Sequence, residues 1–171
     1  MNQSQILADK MGKAATYRYL TEHFGTALKA VYDTNHYDEY CKIDFVVEYK
    51  NNFINFIDAK SRLVSSTCYP TSRISAYKIH TMFNLSQQHK NTLPYIYVYY
   101  NDGNLYQFNV NKIVEKYCPV YNYTRESALS KGHKMKYEQQ YDIDFADGFL
   151  CGNYQITPEE LNKPFFDYVS K

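Results

Sequence analysis

Two aspartates and a lysine stand close together in the first half of the chain: Asp44, Asp58 and Lys60. Two carboxylates that leave room for water and phosphate are hard oxygen ligands suited to Mg²⁺, with Mn²⁺ expected to substitute. An ammonium beside them can orient a water or stabilise charge developing on a phosphate. The chemistry these residue types suggest is hydrolysis of a phosphate ester.

The elements that must position them are two strands and a tight turn. Residues 44–49 and 53–58 are rich in aromatic and β-branched side chains, as strands prefer. Asn51 and Asn52 lie between them, and Asn tolerates the positive φ of hairpin turns. Side chains two apart on a strand share a face, so Asp58 and Lys60 point the same way. Two registers are open. A two-residue loop at Asn51-Asn52 sets Asp44 against Ala59 and sends Asp44 and Asp58 to opposite faces. A three-residue loop at residues 50–52 pairs Tyr49 with Phe53 and Asp44 with Asp58. Local chemistry does not choose between them. The three-residue register is the expectation on functional grounds, because only it lets both carboxylates reach one ion. Directly opposed like charges destabilise a sheet, so a chain that keeps them there has a use for them.

At these residues the chain resembles the PD-(D/E)xK nuclease superfamily. Its pattern is an Asp opening one strand, then Asp or Glu, any residue and Lys closing the next. Here it stands as Ile43-Asp44, a hairpin, then Asp58-Ala59-Lys60, with Ile43 in place of the Pro. The resemblance covers roughly the first two thirds of the chain. It implies a Mg²⁺-dependent endonuclease acting on DNA, most like Holliday-junction resolvases and small phage endonucleases. It implies Asp44 and Asp58 as metal ligands, the backbone carbonyl of Ala59 as a further ligand, and Lys60 as the residue that orients water. Members often carry a Glu on the first helix. Here only Glu22 continues the apolar face of that helix, so Glu22 is the further acid expected. The alternative is a module that keeps the nuclease fold without cleaving and serves as a nucleic-acid-binding or structural interaction protein.

Composition bounds the rest. The 171 residues fit one domain with an appendage, and 44% hydrophobic residues are enough for a core. Nineteen Lys and Arg against eighteen Asp and Glu give +1, so a DNA-binding face needs local clustering of cations. Twenty Tyr and no Trp, with abundant Asn, Lys and Ile, suggest an AT-rich coding sequence, as of a phage, a virus or an AT-rich bacterium. Cys41, Cys68, Cys118 and Cys151 lack zinc spacing and read as free thiols of a reducing, cytoplasmic compartment. No apolar run reaches membrane-spanning length.

Along the chain, residues 4–24 read as a helix with Leu7, Met11, Ala14 and Ala15 on its apolar face. Residues 27–34 read as a strand. Residues 61–72 read as a polar loop, and residues 73–89 as a helix capped by Ser72. Arg62, Arg73 and Lys78 are the cations placed for phosphate contact. Strands follow at 95–100 and 105–110, then a short helix. The order predicts an α/β, restriction-endonuclease-like core at residues 1–118, a mixed sheet flanked by helices. Residues 119–171 are expected as an extension packed on it. Within it Arg125, Lys131, His133, Lys134 and Lys136, interleaved with Tyr121, Tyr123 and Tyr137, form a further candidate contact for nucleic acid. Thr157-Pro-Glu-Glu160 opens a last helix whose face is Leu161, Phe165, Phe166 and Val169. The expected partner is DNA, with a homodimer allowed and no membrane.

Overall fold

A computed structural model describes residues 3–38, 41–125 and 135–171, with backbone alone at 123–125 and 135–137. Its elements run α1 (Gln3–Phe24), β1 (Leu28–Asp33), α2 (Thr34–Tyr37), β2 (Phe45–Tyr49), β3 (Ile54–Arg62), β4 (Thr71–Ser75), α3 (Ala76–Gln87), β5 (Thr92–Tyr100), β6 (Asn104–Asn109), α4 (Val110–Lys116), β7 (Val120–Arg125), β8 (Met135–Asp144), β9 (Phe149–Asn153), α5 (Pro158–Leu161) and β10 (Tyr168–Val169). The main sheet has the order β10-β1-β2-β3-β5-β6-β9, and a smaller sheet has the order β4-β8-β7. The central pair β3–β5 is parallel, as a strand-helix-strand step demands, and the other pairs are antiparallel.

Alternation along the strands sorts the core into two layers. Phe45, Val47, Ile57, Tyr97 and Tyr99 pack under α1, while Phe56, Ile96, Val98 and Phe108 pack under α3 and the smaller sheet. The fold is therefore α/β, a mixed sheet with helices on both faces.

Four local expectations change. First, α1 buries Ala8, Gly12, Ala15 and Tyr19, while Leu7 stays exposed. Small residues face the sheet because the helix crosses β3 at close range. A Cβ on Gly12 would clash with Ser61 Oγ and sit 3.1 Å from the Lys60 carbonyl. Second, β3 runs on through Arg62, and residues 71–75 form a strand where a loop end and a helix start were expected. Ser72 is no cap: it is buried in β4 and accepts a hydrogen bond from Tyr100 Oη at 2.9 Å. Third, α3 starts at Ala76 with no side-chain cap, because Ser75 donates instead to Glu138 at 3.0 Å. Fourth, the last helix keeps its Thr157/Glu160 capping box but stops after one turn. Pro164 disfavours helical backbone at Lys163, and the chain runs on to pair with β1 as β10.

Candidate active site

The hairpin takes the three-residue register. Phe45 pairs with Ile57 and Val47 with Asn55, and Tyr49 N donates to the Phe53 carbonyl at 2.9 Å. Asn52 closes the turn at φ 65°, where an Asn side chain is tolerated. The regular pairing stops at Phe45 and Ile57, and just beyond it Asp44 and Asp58 line one cleft.

The ladder ends there for a local reason. Asp44 N donates to the Ile57 carbonyl at 2.8 Å, which breaks the regular alternation, and no Ile43–Ala59 pair follows. Instead Ala59 N donates to Asp44 Oδ2 at 2.8 Å, and the Ile43 carbonyl accepts from Thr34 Oγ1. The Asp44 carboxylate takes the place of a strand, and a cleft opens where β2 would have continued.

Asp58 lies in the floor of that cleft, 1% exposed. Its Oδ1 is 2.7 Å from Lys78 Nζ of α3, and its Oδ2 is 3.0 Å from Lys60 Nζ. The Lys60 contact is an ion pair by distance without hydrogen-bond alignment, so Oδ2 is buried with no hydrogen-bond partner. Lys78 also donates to the Lys42 carbonyl at 2.7 Å, which fixes its ammonium against the carboxylate. Burial, with the Asp58 charge next in weight, pushes the Asp44 carboxyl up to about 6 against the pull of the Ala59 N–H, Lys60 and Lys13. Burial works against the Lys60 ammonium, but Asp58, Asp44 and Asp9 outweigh it and hold its pKa above the ordinary value.

The cleft has a volume of about 750 Å³. Asp9, Lys10 and Lys13 of α1 line one side, and residues 161–166 the other. Lys13 is paired with Asp33 at 2.7 Å. Asp33 is buried, caps α2 and accepts from Phe166 N at 3.3 Å, so it ties the tail to the cleft rim.

The structure thus brings together Asp44, Asp58, Ala59, Lys60 and Lys78, and moves the rest. Glu22 is thirteen residues beyond Asp9 on α1, about 20 Å along the axis at 1.5 Å per residue. It is exposed and held by Arg18 at 2.9 Å, outside the cleft. The acid that α1 does bring to the cleft is Asp9, anchored by Gln5 Nε2 at 2.9 Å. What seats it there is packing: the carbonyl of its neighbour Ala8 accepts from Ser61 Oγ of β3 at 2.5 Å. Among the described residues no three His, Cys, Asp or Glu stand close enough to hold one ion. Arg62 donates to the Arg73 carbonyl, and burial, then Arg73, lowers its pKa against the opposing effect of Tyr100. Arg73 is paired with Asp142 at 2.7 Å. Lys78 faces the carboxylates, where a lysine on the DNA-facing surface was expected. Of the C-terminal cations, Lys131, His133 and Lys134 lie outside the described residues, as do the side chains of Arg125 and Lys136.

No protein-family model matches the chain, and no curated protein is similar to it. Among solved structures, it is similar to a Holliday junction resolvase from the archaeal hyperthermophile Archaeoglobus fulgidus, at 13% identity and a TM-score of 0.48, over 85% of this chain and 98% of that one.

Proposed function

We propose that the protein is a metal-dependent deoxyribonuclease of the PD-(D/E)xK type, with Asp44, Asp58 and Lys60 as its site. The observation that carries this reading is the pair of carboxylates gathered in the cleft with Lys60. Asp44 and Asp58 line one cleft at a strand end, and the buried Oδ2 of Asp58 faces the Lys60 ammonium at 3.0 Å. Two hard oxygen donors fit a divalent cation such as Mg²⁺. Asp44, Asp58 and the Ala59 carbonyl would hold it. When bound, the metal supplies Lewis-acid stabilisation of the scissile phosphate.

The chain's own residues do the positioning. Lys78 fixes one oxygen of Asp58, and the Ala59 N–H fixes one oxygen of Asp44. Lys60 carries a proton across the working pH range, orients the attacking water and stabilises charge on the phosphate. Lys10 and Lys163 are the cleft cations for the DNA backbone. Nicking of supercoiled DNA should proceed with Mg²⁺ or Mn²⁺ and stop with EDTA or Ca²⁺; undiminished nicking in chelator would sink the reading.

A second reading has its own observation: two ammonium groups already compensate Asp58. A module that binds DNA without cutting it would look the same. It would bind DNA in a salt-dependent way and leave supercoiled plasmid intact in every metal.

A further inference from the structure

The cleft has an aromatic lip. Phe165 lines the cleft, and its ring lies 4.4 Å from that of His36. His36 stacks on Tyr37 at 4.9 Å, with 23° between the ring planes. The three rings make a row that leads out of the cleft. Its end members present free surface: Tyr37 is 65% exposed and Phe165 41%. The row is held in place. Asp167 Oδ2 accepts from Tyr37 Oη at 2.8 Å and lies 3.6 Å from His36 Nδ1, and its Oδ1 accepts from Asp33 N at 2.8 Å. Asp167, beside the rings, is therefore engaged. Lys10 and Lys163 line the same cleft, so cations for a phosphate backbone stand beside rings with open faces.

Rings in a row beside cations are what unpaired bases stack on, while a duplex keeps its bases inside. We propose that Tyr37 and Phe165 form a stacking platform for unpaired bases, and that the substrate class is DNA with a single-stranded segment entering the cleft. This rests on the nuclease reading for the cleft, but the platform can be tested without cleavage.

Binding is measured in EDTA by anisotropy of a labelled oligo-dT and of a duplex of equal length. Stacking on an aromatic side chain is worth enough per base that Tyr37→Ala with Phe165→Ala should weaken oligo-dT binding about tenfold or more. Duplex binding should stay unchanged. Phe165→Tyr alone keeps both rings and the Tyr37–Asp167 hydrogen bond and should keep oligo-dT binding. In the unaltered protein, 2-aminopurine in the oligonucleotide should be quenched, and 5-iododeoxyuridine should cross-link to Tyr37 or Phe165. Cross-linking elsewhere, equal loss on single strand and duplex, or no oligo-dT binding at all would overturn the platform. So would quenching by an RNA oligonucleotide alone, or a dimer of the unaltered protein that the alanine variant abolishes. Absence of cleavage with Mg²⁺ would remove the nuclease reading and leave the platform standing; loss of the ring dependence would do the reverse.

Discussion

Two cavities of similar size on this protein carry charged residues in their walls, and they treat charge in opposite ways. One, of about 690 Å³, lies where β6, α4 and the turn at residues 145–149 meet. There Asp147 takes Lys116 Nζ at 2.6 Å and 2.7 Å, and Tyr117 Oη as well. These hydrogen bonds, Lys116 first, hold its carboxyl below the usual carboxylate range. In the cleft at the hairpin end, Asp44 is buried and faces a second carboxylate, and its pKa rises to about 6. The first cavity is electrostatically settled as it stands. The second keeps two like charges together at a cost in stability, and a hydrolytic site is a reason to keep that cost.

The difference can be broken most directly at Asp58. Asp58→Asn should cut nicking of supercoiled DNA by about 10³-fold or more, the scale of losing several kcal/mol of Lewis-acid stabilisation. Asp44, relieved of its neighbour's charge, should then titrate closer to an ordinary carboxyl by NMR. A variant that nicks at the parent rate places the chemistry elsewhere.

Lys60→Ala should lower the rate by about 10²-fold, the range for a single transition-state donor, with little change in KM. A change confined to KM would make Lys60 a DNA-binding residue only.

Gly12→Ala sharpens the comparison from the helix side. The methyl meets Ser61 Oγ and the Lys60 carbonyl, so it should destabilise by about 1–3 kcal/mol, as overpacking does. Ser61→Gly added to it should recover much of the melting temperature. No loss in the single variant would mean that α1 does not press on β3.

A smaller effect of opposite sign is expected at Asp44. Folding raises its pKa, so its contribution to stability is present at low pH and is lost as pH rises from the ordinary carboxylate range through about 6. Asp44→Asn keeps an acceptor for Ala59 N and drops the charge. Without metal it should melt above the parent at pH 8, with the gain gone near pH 4. A gain that persists at pH 4 would point to packing instead of charge.

Lys116→Ala, on the settled side, should leave the nicking rate at the parent value. A clear loss there would show that the second cavity serves the reaction.

The hairpin was legible because its signals are local. Asn-Asn between two β-rich runs, and the period-two spacing of Asp58 and Lys60, survive into the structure unchanged. Glu22 was misread because helical spacing says which face a residue is on, and not how far along a 22-residue helix the site lies. Asp9 and Lys78 reach the cleft only through packing of α1 and α3 on the sheet. Spacing within either segment carries no trace of that. Strand β4 was hidden by its composition. Ser72 and Ile74 alternate inward, but Thr71-Ser72 reads locally as the end of a polar loop and Arg73-Ile-Ser75 as the start of a helix. The tail was read as a helix from a good start signal, and Pro164 ended it after one turn.

The tail strand has a further consequence, for the order in which the molecule is built. Most strands of the main sheet pair with partners near them in sequence, but β10 returns to β1, and Phe166 N reaches Asp33 across 133 residues. Two ladder pairs hold that return, so it repays little of the entropy of closing so long a loop. The far wall of the cleft should therefore form late in folding and exchange its amide protons before the central strands do. A chain whose hairpin has already paired still lacks a closed cleft until its tail docks.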